Sequence, residues 1–185
     1  MEISGEAPTE RLIPPSNPVY DVLLIGDILE GGLPIFVMDR VFSAASRSAA
    51  LHQDRVTLGW FLGGYHSWQG YEYIFVEHSV PARGGEDRPG AFAITNAVWE
   101  NLDEDRRRID PASRLIGWWI GMPGQGLYVS DVNFDMHRRY FSSAWQVHLV
   151  IDPTMGDAAW FRWEGDVLAS TGFLQVSLKD RPRGD

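Results

Sequence analysis

Few side chains in this sequence can ligate a metal or move a proton, and four stand close together: Asp131, Asn133, Asp135 and His137. Asp131-x-Asn133-x-Asp135 has the oxygen spacing that opens a calcium loop. The sixth loop position, however, is Met136 rather than Gly, and the twelfth is Ser142 rather than Glu. On a helix these donors fan out around the axis, leaving His137 a lone strong ligand where a catalytic zinc needs three. The expectation is a solvated helix face with one ordinary histidine, and neither a metal nor another cofactor. His148 lies inside an apolar run and reads as a core histidine, His66 and His78 sit near strand ends, and His52 sits near a helix C-terminus that favours a cation. With no Cys there is no disulfide, thiolate ligand or thiol nucleophile. The GMPGQG run at 121–126 lacks the GK[ST] ending of a phosphate loop and is interrupted by Pro123, and no GxSxG turn is present.

The apolar pattern marks the elements that carry these residues. Residues 115–120 form an apolar strand, a glycine-rich loop follows, a helix opens at Ser130, and residues 145–151 form a second strand. Serine is a good helix N-cap, which accounts for Ser130 without catalysis. Upstream, residues 19–28 and 33–37 read as strands turned by Glu30-Gly31-Gly32. Residues 38–52 carry a helical stripe of Val41, Ala44, Ala45, Ala49 and Leu51. Residues 56–65 and 71–80 make a hairpin around 67–70, residues 81–90 a turn-rich loop, and residues 93–107 a helix with Thr95 or Asn96 near its N-cap. Strands at 158–163, 167–170 and 173–178 complete a sheet. Residues 1–18, with four prolines, read as an irregular N-terminal arm, 19–178 as one domain, and 179–185 as a polar tail.

The stretch from 114 to 153 reads RLIGWWIGMPGQGLYVSDVNFDMHRRYFSSAWQVHLVIDP. Its order and spacing resemble the core of the JAB1/MPN/Mov34 (JAMM) metalloprotease family. In that family a strand ends in His-x-His-Pro, six residues follow, and Ser-x-x-Asp opens a helix. Here the proline is Pro123, six residues follow, and the serine is Ser130. The Gly59-Trp60-Phe61-Leu62-Gly63 run resembles the family's Gly-x-x-x-Gly strand, three residues before which lies a glutamate general base. The resemblance implies an α+β (α/β), MPN/JAMM-like (cytidine-deaminase-like) fold: a mixed β-sheet flanked by helices in a single domain. It places the family's glutamate, two zinc-binding histidines and zinc-binding aspartate at Val56, Ile120, Met122 and Asn133, with Ser130 at the serine that supports an oxyanion. Ile120 has no donor atom, Met122 offers a soft thioether, Asn133 a neutral amide oxygen, and Val56 cannot take a proton. The chain is therefore expected to be a pseudoenzyme.

Inactive members of the family pair with an active MPN-type subunit or serve larger complexes, so the resemblance implies protein partners and a scaffold role. Of eight Trp, Trp60, Trp118, Trp145 and Trp160 are expected in the core, while Trp68 at a hairpin tip and Trp163 beside a turn are candidate anchors. Ile120 and Met122 would turn the former metal pit into an apolar contact surface. On that expectation Ile120→Asp with Met122→Asp abolishes a complex and leaves the fold soluble. A second reading is a module that holds a peptide or ubiquitin-like tail in the family's groove, flanked by 81–90, by strand addition. A third is a hydrolase with a metal site relocated to Asp131, Asp135 and His137. A net charge of -9 and a pI near 4.9 argue against a nucleic-acid partner, and the Arg106–Arg108 run follows Asp103-Glu104-Asp105 directly. No apolar run has membrane-spanning length, and the N-terminus lacks the order of a signal peptide, so the expected location is cytoplasmic.

Overall fold

Neighbouring residues on a strand point to opposite faces, so the pairs Trp60-Phe61 and Trp118-Trp119, buried throughout, demand a core on each side of the sheet. The computed structural model describes residues 7–88 and 91–180 and supplies both. The elements are β1 (Thr9–Glu10), β2 (Tyr20–Ile25), β3 (Ile35–Met38), α1 (Asp39–Ala50), β4 (Thr57–Trp68), β5 (Tyr71–Pro81), β6 (Glu86–Arg88) and β7 (Ala91–Ala93). They continue as α2 (Asn96–Ile109), β8 (Arg114–Gly121), α3 (Asp131–Tyr140), β9 (Val147–Asp152), β10 (Asp157–Glu164), β11 (Val167–Thr171) and β12 (Phe173–Leu178). The main sheet runs β11-β10-β9-β8-β4-β5-β3-β12-β2, with β1 added parallel to β4, and β6 and β7 form a separate ribbon. Parallel pairs (β3 with β5 and β12, β8 with β9) are mixed with antiparallel ones.

This sheet curls. Only Gly172 separates β11 from β12, yet β11 is one edge of the order and β12 lies next to the other. At that corner a side chain on residue 172 would lie 2.6 Å from the Ile25 carbonyl oxygen, so the backbones meet only because the residue is glycine. The concave face holds one core, in which Trp160 of β10 stacks on Phe61 of β4 at 5.0 Å and meets Phe173 of β12 at a tilt, 5.8 Å between ring centres. Helix α1 fills this face with Val41, Ala45 and Ala49. The convex face carries Trp60, Trp118, Ile120, Val150 and Phe161, covered by α2 through Val98 and Leu102 and by the α3 region through Phe141. The result is a mixed α+β single domain of curled sheet and three helices.

Several elements differ from the sequence expectation. The described part of the N-terminal arm is not irregular: β1 pairs with His66 and Ser67, residues 14–16 form a 3-10 turn, and Arg11 clamps Glu77 through two 2.8 Å bonds. The strand expected at 19–28 is shorter. The loop at 81–90 contains β6, whose partner β7 takes residues 91–93, so α2 starts at Asn96 rather than 93. Thr95 is its N-cap residue, but the Thr95 hydroxyl donates to the Gly84 carbonyl at 2.9 Å and fastens this ribbon to the helix instead. The hairpin strands run on to Trp68 and from Tyr71, leaving only Gln69-Gly70 as the tip, both with positive φ. Lys179 continues the sheet pairing by donating to the Val19 carbonyl at 2.9 Å; residues 1–6, 89–90 and 181–185 lie outside the described residues. No helix among the described residues is long and apolar enough to cross a membrane.

Candidate functional site

The end of β8, the glycine loop and the start of α3 form one hydrogen-bonded unit. The Met122 N–H donates to the Ile151 carbonyl at 2.9 Å, so residue 122 stays in strand phase with Ile120 and both face α3's side. Beyond it, the buried Asp152 carboxylate accepts N–H donors from Gly124, Gly126 and Thr154 at 2.9–3.0 Å. These donors, Gly124 first, hold its carboxyl below the usual range and pin the loop. At the other end Ser130 caps α3, its Oγ accepting the Asn133 N–H at 3.2 Å.

The four positions singled out by the family frame come together. The β4–β8 register pairs Thr57 with Gly121 and Leu58 with Ile120, and Val56 and Met122 are the next residues beyond its end. Val56, Ile120 and Met122 belong to one buried apolar cluster, and the Asn133 Nδ2 lies 3.5 Å from the Met122 Sδ. A hydrocarbon, a thioether and a neutral amide do not fit a zinc ion, whose sites are built from imidazole, thiolate and carboxylate. One expectation is corrected here. Ile120 and Met122 are 6% and 4% exposed, so they form core beneath α3 and not an open contact surface.

Helix α3 also corrects the view of His137. Asp131 and Asp135 face solvent, as fanning donors should, but Asn133 and His137, one turn apart, face the sheet. His137 is fully buried, and its Nδ1 accepts the Trp118 indole N–H at 2.9 Å. The fully buried His148, beside Trp118 in the β8–β9 register, donates from Nδ1 to the Trp118 carbonyl at 3.3 Å, and its ring stacks on the Trp118 ring at 3.9 Å. The two imidazole centroids lie 5.9 Å apart, and neither Nε2 has a hydrogen-bond partner among the described residues. Burial pushes His137 down to about 3; burial first, then His137, pushes His148 well below the usual value. The i, i+4 spacing of Asn133 and His137 was the available signal for this inward face. Among the described residues no three His, Asp or Glu side chains are grouped to hold a metal.

The remaining candidates are anchored within the chain. Trp163, half-buried, donates to the Phe141 carbonyl at 2.7 Å and meets Phe134 edge-on, while half-buried Trp68 packs against the concave core. His66 lies 3.3 Å from an Arg11 nitrogen and packs near Tyr73, and His78 pairs with Asp110 at 4.0 Å. Arg106 and Arg108 pair with Asp103 and Asp105 at 3.1 and 2.9 Å. A cavity of about 300 Å³ adjoins Val56 and is walled by His52, Thr57, Pro81, Phe92 and Trp119. The Thr57 hydroxyl there is buried without a partner among the described residues, a feature the sequence did not mark.

No family model matches the chain, and no curated protein matches it. Among solved structures it is similar to the solution structure of protein DSY2949 from Desulfitobacterium hafniense, with a TM-score of 0.59 over 76% of this chain and 92% of that one. The two are 14% identical, a likeness of fold alone.

Proposed function

We propose that this chain is a catalytically inactive, JAMM/MPN-like domain that serves as a scaffold or partner subunit in a protein assembly. One observation supports the reading: Val56, far from the others in sequence, packs in the same buried apolar cluster as Ile120 and Met122, and Met122 contacts Asn133 at 3.5 Å; these are the positions that the resemblance assigns to a base and three zinc ligands. The positions converge while the groups are those of a packed core. Loss at all four together fits a protein retained for binding. The partner surface then lies outside this cluster, since its side chains are buried.

The cavity beside Val56 favours a second reading, a module that holds a peptide or ubiquitin-like tail. It is flanked by residues 81–85, the segment that borders the tail groove in the resemblance, and about 300 Å³ is room for a few small residues. The relocated-metal hydrolase has less behind it, because Asp131 and Asp135 point away from the buried His137. The deciding experiment is co-purification of the tagged chain at native expression, with complex mass, metal content and isopeptide cleavage measured on one sample. A defined assembly without cleavage by this chain is the expected result. A monomer that carries stoichiometric zinc and cleaves would overturn the proposal.

A further inference from the structure

Alternate residues of a strand share a face, so Arg162 of β10 follows Trp160 onto the concave side of the sheet. Arg162 is 3% exposed, and its guanidinium fills the space that a side chain at Gly32 would take. The Nη2 group donates to the Leu29 and Glu30 carbonyls and so pins the loop between β2 and β3. A guanidinium has five N–H donors, and those on Nε and Nη1 meet no acceptor among the described residues. Nor does Arg162 form an ion pair with a carboxylate among them. Burial pulls its pKa below the ordinary arginine value, and Glu164 offsets this only in part. A buried cation is costly unless an anionic oxygen meets it. Beside the guanidinium lies a cavity of about 550 Å³, within the range of small-molecule sites. Three exposed carboxylates border it, Glu30, Glu72 and Glu164, and one oxygen of Glu72 already accepts the Tyr65 hydroxyl at 2.5 Å. Tyr71 and Trp163 supply its aromatic walls.

We propose that this cavity binds a free amino acid with a cationic side chain, its carboxylate on the Arg162 guanidinium and its ammonium groups toward Glu30, Glu72 and Glu164. The charges fixed around the cavity select that chemistry. The unmet N–H donors of a buried guanidinium call for an oxygen acceptor, and a carboxylate is one whose charge also matches. A plain anion gains this contact but must sit among three carboxylates that outnumber the one guanidinium. A plain amine suits the carboxylates and leaves the guanidinium unmet. A zwitterion answers both, and a second cation on its side chain, as in lysine, balances the remaining negative charge. The net charge of -9 on the chain works in the same direction. Tyr71 and Trp163 offer ring faces to the aliphatic stem and its cationic end. Were Arg162 a loop pin alone, its two carbonyl bonds would be its whole role and the ligands below would not distinguish one another. This inference is independent of the family frame, and its failure leaves the proposed function standing.

The test is calorimetric titration of the full chain with L-lysine, acetate and pentylamine at one ionic strength. Lysine should bind saturably, one per chain, and acetate and pentylamine, which each carry part of its charge, at least about tenfold more weakly. In a spectrum of the labelled chain, the amide signals of Gly32 and Gly165 should move with lysine, which places the ligand in this cavity. Arg162→Gln should abolish binding. Because Arg162 also holds the β2–β3 loop, circular dichroism must verify that this variant folds. Glu164→Gln changes an exposed residue, leaves the loop contacts in place and should weaken lysine binding while acetate binding rises. It decides the matter with the ligand series even where Arg162→Gln does not fold. No binding of lysine overturns the proposal, as does acetate or pentylamine binding as tightly as lysine. Lysine binding indifferent to Glu164→Gln or to a folded Arg162→Gln overturns it equally.

Discussion

The first turn of α3 lays Asn133 on Met122, and its last turn lays His137 on Trp118 and beside His148. Both regions are buried under the same helix and share β8, yet they are filled differently. Where the family frame would hold an ion, this chain has a thioether and aliphatic groups with one weak polar contact. One turn on, where the frame asks for nothing, it keeps two imidazoles joined through Trp118, whose indole N–H and carbonyl serve one each. Backbone geometry alone sets which positions converge, whereas residue type sets what can happen there. Burial is tolerated by the histidines because they stay neutral and each has a partner on one ring nitrogen.

The largest effect expected at the apolar region is loss of the fold. Ile120→Asp with Met122→Asp buries two carboxylates, at a cost together of more than about 5 kcal/mol, comparable with the stability of a domain. Chemical denaturation or simple solubility would show it, and a folded double variant would mean that this region opens readily to water. The converse change sharpens the contrast: Val56→Glu, Ile120→His, Met122→His and Asn133→Asp together should yield a variant that holds one zinc ion more than the native chain by elemental analysis. A folded variant that takes up none would show that the four positions do not share ligand geometry.

At the histidine region the expected effect is smaller and depends on pH. Both rings have folded-state pKa values below the unfolded value of about 6.5, so the unfolded chain binds more protons as pH falls. Stability from neutral burial is full above about 6.5 and declines below it, by roughly 1.4 kcal/mol per pH unit for each ring. Urea midpoints between pH 7.5 and 5 would measure this slope, and His148→Phe should flatten it. The smallest effect is at the cap: Ser130→Ala should cost about 1 kcal/mol, and more than Asn133→Ala, which keeps the capped backbone N–H. A cap worth nothing would mean that the Asp152-held loop alone positions α3.

Much of the region from 114 to 153 was legible because its signals are local. Buried strands of hydrophobic residues, a Pro-Gly loop and a serine cap need no distant partner to be read, and β8, α3 and β9 lie within a residue or two of expectation. The shared side of Ile120 and Met122 followed from strand alternation. Other features were not legible. The Thr95 hydroxyl serves Gly84 and not its own helix because β6 and β7 pair in front of α2. His137 looked solvated because its neighbours in sequence are Met136, Arg138 and Arg139, while the residue that decides its environment is Trp118, on another element.

From sequence alone came the types of side chain at the frame positions, and with them the absence of imidazole and carboxylate at those four positions. Those are covalent facts that folding cannot alter. Packing decided the rest: that Ile120 and Met122 are sealed beneath α3, that two histidines share one tryptophan, and that β2 is left as an open apolar edge. Each depends on which distant segment covers which face, and a curled sheet assigns that cover between strands far apart in the chain.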